Sequence, residues 1–184
     1  MTGGGNFPSR ADLKVGATAT AVHQSVTIRD FRHPDLPALL ALQAECFAAA
    51  AWLPEDYLRL AADPSGLLLV AEPTDSAPDG PAMGGVAPGA IDGFVLFLRL
   101  GDDAELENLA VALNRRRQGV ARQLVDAGHR RLRAAGVKRV FLEVRPSNQP
   151  ALALYASMGY TPSRVRKEYY HDPDEDALVL QISL

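Results

Sequence analysis

What this chain has little of narrows its identity first. A single cysteine, Cys46, excludes an internal disulfide framework. Four scattered histidines, His23, His33, His129 and His171, offer no metal-ligand spacing, so no metal is expected. Charge of one sign does not dominate: the formal net charge is −3, which argues against a general nucleic-acid or anionic-membrane binder. No apolar run approaches the roughly 20 residues of a membrane-crossing helix, and the first 25 residues lack the apolar stretch of a secretory signal. Two phosphate-binding motifs are missing as well. Gly119 is followed by Val120, Ala121 and Arg122, not by the Lys-Ser or Lys-Thr of a P-loop, and no three spaced glycines form a dinucleotide fingerprint. These absences leave a cytoplasmic globular protein as the expectation.

The 184 residues, 47% hydrophobic and 22% charged, suit one domain with one core. Residues 1–25, rich in Gly, Ala, Thr and Ser, read as a disordered tail, and residues 26–184 as a single domain. Within it, residues 73–89 are dense in Pro, Gly, Ala and Asp and read as a flexible loop of unusual length. Residues 26–29 alternate as a short strand. Asp35 is placed to cap a helix carrying Leu36, Leu39, Leu40, Cys46 and Phe47 on one face. Cys46 is then a core residue with no base or cation beside it. After Trp52 and Pro54 a second short helix spans residues 55–62, and residues 66–72 and 90–100 read as antiparallel strands. Trp52 reads as packed at a helix junction.

The informative stretch is 104–160. An apolar strand, residues 106–113, leads into Arg115, Arg116, Arg117, Gln118 and Gly119, and a helix follows. Ala121, Val125, Gly128, Leu132 and Ala135 recur at helical spacing, Gly136 stops the helix, and His129 falls among its polar positions. A glycine turn opening a helix aims backbone N–H groups at one point beside the positive helix end, and three arginines add full charges. This predicts an anion site of phosphate or pyrophosphate type, the alternative being a solvated arginine-rich turn. Residues 137–144 form a nearly all-apolar strand, as in strands covered on both faces, so the carboxylate of Glu143 requires a reason. It is either ion-paired, with Arg145 two residues on as a partner, or a proton acceptor. Asn148 caps the next helix with Pro150 in its first turn, and the seven-residue spacing sets Asn148 and Tyr155 on one helix face. Residues 160–170 and 177–184 read as strands around a polar turn.

The pattern Arg116-x-x-Gly119-x-Ala121, followed by Leu142-Glu143-Val144-Arg145-Pro146-Ser147-Asn148 and Leu154-Tyr155-Ala156-Ser157-Met158-Gly159-Tyr160, resembles the Gcn5-related N-acetyltransferase (GNAT) family. Within it the chain is most similar to the RimI-type ribosomal-protein-alanine N-acetyltransferases. The resemblance covers most of residues 26–184 and is specific over 104–170. It implies an α/β (α+β) fold: a mixed, mostly antiparallel sheet of six to seven strands flanked by about four helices. It also implies acetyl-coenzyme A as cofactor and acetyl transfer, by direct attack, to the N-terminal α-amino group of a protein such as a ribosomal protein. The enzyme is then a monomer or homodimer without nucleic-acid or membrane partners.

By the same resemblance, Leu109, Ala110 and Val111 offer backbone to the pantetheine arm. Arg116, Arg117, Gln118, Gly119, Val120, Ala121 and Arg122 form the pyrophosphate loop, with Asn148 and Tyr155 also on the cofactor. Tyr155 takes the position of the general acid and Glu143 that of the base, with Glu107 in reserve on the acceptor side. Tyr169 and Tyr170 match a paired-tyrosine segment along a peptide acceptor, though adjacent tyrosines also serve as ordinary strand residues facing opposite sides. Two other readings stay open: a small-molecule amine acetyltransferase on the same scaffold, and a coenzyme A binding module without catalysis.

Overall fold

The computed structural model describes residues 26–46, 52–74, 90–171 and 173–184. Residues 1–25, Phe47 and nearly all of the 73–89 segment lie outside the described residues. Among the described residues seven strands form one sheet: β1 (Val26–Asp30), β2 (Gly66–Pro73), β3 (Gly93–Leu100), β4 (Asp103–Val111), β5 (Arg139–Val144), β6 (Thr161–Tyr170) and β7 (Glu175–Ser183). Their spatial order is β1-β2-β3-β4-β5-β7-β6, and every neighbouring pair is antiparallel except β4 and β5. Among the described residues the α-helices are α1 (Leu36–Cys46), α2 (Pro54–Ala62), α3 (Val120–Ala134) and α4 (Gln149–Ser157). The expected mixed, mostly antiparallel sheet with helices on its faces is what the chain adopts.

The apolar runs of β2 and β3 are buried on both faces, because two cores use them. On one side Leu39, Leu42, Tyr57 and Leu60 from α1 and α2 pack on Leu68, Val70, Phe94 and Leu96. On the other, α3 and α4 cover Leu69, Val95, Phe97, Leu106 and Leu142. Gly128 lets α3 come close: a Cβ there would lie 2.2 Å from the Phe97 ring. The buried arc of α3 is wider than its small-residue stripe indicates. It includes His129, which is only 7% exposed and pairs through Nε2 with the Tyr160 hydroxyl at 2.8 Å, whereas Ala135 is exposed. The expectation of a surface histidine therefore fails, because His129 follows Val125 by one helical turn and shares its face.

Other departures are local. The β4 strand runs from Asp103 to Val111, and residues 113–115 form a 3-10 turn. Asp35 does not cap α1: it ends the 3-10 turn His33–Asp35 and holds the Arg29 guanidinium at 2.7 and 2.9 Å and the Arg32 amide at 2.7 Å. A bidentate arginine outcompetes an N-cap as a partner for a carboxylate that is only 2% exposed. On α1 the buried positions are Leu39, Leu42 and Gln43.

Two features of β4 position the site. Leu96 pairs with Asn108 and Phe97 with Leu106, so Glu107 is the extra residue of a bulge. The parallel pairing with β5 covers only Asp103 to Leu106, opposite Arg139 to Leu142. Beyond the bulge the two strands part, and among the described residues no strand pairs with the β5-facing edge of β4.

Candidate active site

The edge left by this parting opens into a groove of about 710 Å³ between β4, the N-terminal region of α3 and one side of α4 along its length. Leu109, Ala110 and Val111 line its strand wall, Gly119, Val120, Ala121 and Arg122 the α3 side, and Asn148, Ala151, Leu154 and Ser157 the α4 side. A strand edge without a neighbour presents N–H and C=O groups at fixed spacing, which suits an extended ligand containing amides. At the start of α3, Gly119 adopts φ +83° and offers no side-chain cap, so the amides of Val120, Ala121 and Arg122 have no partner within the helix. Arg117 is also left-handed, φ +63°. Consecutive left-handed and helical residues turn those amides toward the groove, which suits an anion. An elongated ligand with amides at one end and a diphosphate at the other fits these walls. Asn148 caps α4 as expected, its Oδ1 accepting from Ala151 N at 3.2 Å.

The arginines divide their tasks. Arg115 is not part of the anion site. It is 6% exposed and paired with Asp92 at 2.8 Å, and burial pushes the Asp92 carboxyl upward while the Arg115 charge opposes it. The Arg116 guanidinium folds back, Nε donating to the Val111 carbonyl at 3.2 Å and Nη2 to Cys46 Sγ at 3.4 Å. Cys46 packs against the core of α1 and α2 as expected, but it also lines the groove with a cation beside it, which was not expected. Gln118 bonds the Asn114 carbonyl at 2.9 Å and does not line the groove. Arg117 stands at the mouth, and Arg122 joins α3 to α4 through Ser157 Oγ at 2.5 Å.

Tyr155 does not share the groove face with Asn148. Asn148 precedes the helix, so its direction does not follow helical periodicity, and α4 turns Ala151, Leu154 and Ser157 to the groove instead. The Tyr155 ring is buried, 5.4 Å from that of Tyr160, and burial first and the neighbouring Tyr170 second push its hydroxyl upward. A phenol so placed stays protonated at neutral pH. The Glu143 charge acts on Tyr170 in turn, so Tyr155, Tyr170 and Glu143 form one electrostatic cluster.

That cluster lies where β4 and β5 part. The β5 strand alternates between buried and half-buried residues, so Glu143 occupies a half-open face and not a doubly covered one. Its partner is Arg166 on β6, which donates from Nη1 to Oε1; Arg145 is held instead by Glu175 and by the carbonyls of His171 and Pro173. The Glu143 carboxylate also acts on the Tyr169 hydroxyl and, with burial, pushes it up to about 12. Glu107 contrasts with this. Burial first, then the charge and hydrogen bond of Glu105, then the charge of Glu143 push its carboxyl above the ordinary range. Tyr169 and Tyr170 do not face opposite sides: a register shift after Arg166, with Glu168 at φ +52°, brings their rings to 5.0 Å. Arg166 stacks on Tyr169 at 4.1 Å and Arg145 on Tyr170 at 4.2 Å. Sequence reasoning missed Arg166 and Ser157, whose partners lie 23 and 35 residues away. No local pattern marks either.

Among known proteins, the acetyltransferase (GNAT) family profile matches residues 36–160. A putative [ribosomal protein bS18]-alanine N-acetyltransferase of Bacillus subtilis is 27% identical over 157 residues, 85% of this chain and 95% of that protein. The [ribosomal protein bS18]-alanine N-acetyltransferase of Escherichia coli K12 is 39% identical over 85 residues, covering 45% of this chain and 57% of that one. The crystal structure of the Escherichia coli ribosomal-protein-S18-alanine N-acetyltransferase superposes with a TM-score of 0.71 at 27% identity, over 86% of this chain and 94% of that one. Arabidopsis thaliana NAA60 in complex with acetyl-CoA shares the fold, with a TM-score of 0.72 at 19% identity over 87% and 99% of the two chains. With this match spanning the groove, the anion turn and the parting of β4 and β5, the chain belongs to the GNAT family and is an acetyl-coenzyme A-dependent acetyltransferase.

Proposed function

We propose that the protein transfers an acetyl group to the N-terminal α-amino group of a protein, of ribosomal-protein-alanine type, by direct attack of the amine. The observation that carries this reading is the face beside Glu107 and Glu143, where Tyr169 and Tyr170 stack with Arg166 and Arg145 into a wall suited to an extended peptide. The named activities of the Bacillus subtilis and Escherichia coli relatives support it. Chemistry supports it too. An α-amino group has a pKa of about 7.7 to 8.0 and needs modest help to lose its proton, whereas a lysine near about 10.4 needs more.

Bound acetyl-coenzyme A supplies the acetyl thioester. The backbone of Leu109 to Val111 holds its amide-bearing arm, and the amides of Gly119 to Arg122, with Arg116 and Arg117 beside them, hold the diphosphate. Asn148 borders the arm from α4. The carboxylates at the parting of β4 and β5 draw in the acceptor ammonium and take its proton, and the Tyr155 hydroxyl supplies a proton to the departing sulfur. The test compares acetylation of a short Ala-leading peptide with that of polyamines and free amino acids. Preference for the peptide is expected; transfer to a polyamine or amino acid alone overturns the protein-acceptor reading, and acetyl-coenzyme A binding without thiol release to any acceptor overturns transfer altogether.

A further inference from the structure

Three buried side chains with polar ends, Gln43 on α1, Tyr57 on α2 and Asn108 on β4, join into one hydrogen-bonded chain that the chemistry above does not use. They are 3%, 0% and 7% exposed. Asn108 Nδ2 donates to the Tyr57 hydroxyl at 2.8 Å, that hydroxyl donates to Gln43 Oε1, and Gln43 Nε2 donates to the Trp52 carbonyl at 3.0 Å. The Tyr57 ring meets Phe94 edge-on at 5.8 Å and lies 5.9 Å from the Trp52 ring. An apolar trio of the same shape would fill this core without desolvating three polar groups, so burial alone does not account for the chain.

Its place in the fold does. Asn108 follows the bulge directly and pairs with Leu96, where, among the described residues, β4 goes on paired with β3 alone. Leu109, Ala110 and Val111 then form the groove wall, and only one set of ladder hydrogen bonds fixes their position. Asn108 adds a hold from the face of the sheet: it bonds Tyr57 in the core under α1 and α2, whereas Leu109 and Val111 pack in the core on the other side. The last turn of α1 holds the far end. The Val111 carbonyl accepts from Cys46 Sγ at 3.6 Å, and Leu113 N donates to Glu45 Oε1 at 3.2 Å. Both ends of the unpaired half are thereby tied to α1, one through Tyr57 and Gln43 and the other directly.

We propose that Asn108, Tyr57 and Gln43 are positioning residues for acetyl transfer. By tying β4 to α1 and α2 just past the bulge, they fix the backbone of residues 109–111 for the amide-bearing arm of acetyl-coenzyme A and so set where its thioester lies. This rests on the reading above that the arm lies along 109–111, and it is independent of which amine is the acceptor. A shift of the strand by about 1 Å is enough to cost about 10²-fold in rate.

The test compares the parent, Tyr57→Phe and the all-apolar triple variant Tyr57→Phe/Asn108→Leu/Gln43→Met in the full chain. Tyr57→Phe keeps the ring and removes the hydroxyl that joins the chain, leaving a buried donor and a buried acceptor unpaired; the triple variant removes those two as well. The urea midpoint is expected to fall in Tyr57→Phe and to recover in the triple variant. In both, kcat/KM for acetyl-coenzyme A is expected to fall by about 10²-fold. Hydrogen exchange without cofactor is expected to quicken over residues 107–111 in both and to stay parental over 103–106. A packing role alone would return activity together with stability.

The proposal is overturned if Tyr57→Phe keeps the parental kcat/KM, or if the triple variant regains activity with stability. Should Tyr57→Phe fail to fold, Asn108→Leu carries the test, since it leaves the Tyr57 hydroxyl bonded to Gln43. A loss of about 10²-fold in kcat/KM with faster exchange at 107–111 then supports the proposal, and parental values overturn it. Acetyl-coenzyme A that binds the parent without protecting 107–111 overturns the placement of the arm and this proposal with it; protection in the parent, with unaltered exchange in the variants, overturns the proposal alone.

Discussion

One strand carries two kinds of surface. From Asp103 to Leu106, β4 is paired on both edges and behaves as ordinary core; from Glu107 to Val111 it is paired with β3 alone. The first half contributes Ala104 and Leu106 to the core under α3, and its side chains carry its purpose. The second half lines the groove and, at the bulge, carries the Glu107 carboxyl beside Glu105 and Glu143. Side-chain character therefore does not locate the cofactor; the register break and the loss of a neighbouring strand do. A bulge costs one ladder position and, on the function proposed above, yields both a free edge for the cofactor and a carboxyl for the acceptor side.

Substitutions that touch one half and spare the other test this division. The largest effect is expected at Tyr155, whose buried hydroxyl belongs to the cluster at the junction of the halves. Tyr155→Phe should lower kcat by about 10² to 10⁴-fold while the Kd for acetyl-coenzyme A, measured by calorimetry, stays near the parental value. An equal rate removes Tyr155 from the acid role.

Next comes the anchor at the far end of the free half, where Ala112 N donates to the Asp92 carbonyl at 2.9 Å and Asp92 pairs with Arg115. Arg115→Ala leaves a buried carboxylate without its cation, which costs about 3–5 kcal/mol. A urea melt should show it, and adding Asp92→Asn should recover part of the loss. No recovery would mean that Arg115 acts through packing.

The paired half rests on His129, which packs 6.1 Å from Phe97 and is pushed down to about 4, chiefly by burial. In the folded protein this imidazole binds a proton only near pH 4, but in the unfolded chain near its ordinary 6.5. Between those values the unfolded chain holds more protons, so this contribution to stability is complete above pH 6.5 and is lost as pH falls toward 4, by up to about 3 kcal/mol. Melts at pH 7 and pH 5 should show a flatter dependence in His129→Gln than in the parent.

The smallest effect belongs to the groove mouth. Arg117→Ala should weaken acetyl-coenzyme A binding by about ten-fold, one charge-assisted contact in open solvent, and more at low than at high ionic strength. A salt-independent change would argue against an anion there.

What the sequence revealed and what it hid follow the reach of each interaction. The anion turn, the Asn148 cap and the α3 helix depend on residues within one or two turns, and a glycine at φ +83° or an Asx cap is written locally. Burial of His129 was hidden because the stripe of small residues drew the helix face too narrowly. The ion pairs Arg115 with Asp92 and Glu143 with Arg166 span 23 residues each, and arginine-rich or acidic strings do not announce their partners. The bulge at Glu107 exists only relative to β3, so no reading of β4 by itself finds it. Asn148 and Tyr155 were set on one face by counting helical turns from a residue that precedes the helix.

Amide hydrogen exchange with and without acetyl-coenzyme A tests the division of β4 most directly. Saturating cofactor should slow exchange over residues 107–111 and 119–122, and leave 103–106, already paired on both edges, unchanged. Binding confirmed by calorimetry with no protection of the 107–111 edge would contradict the account.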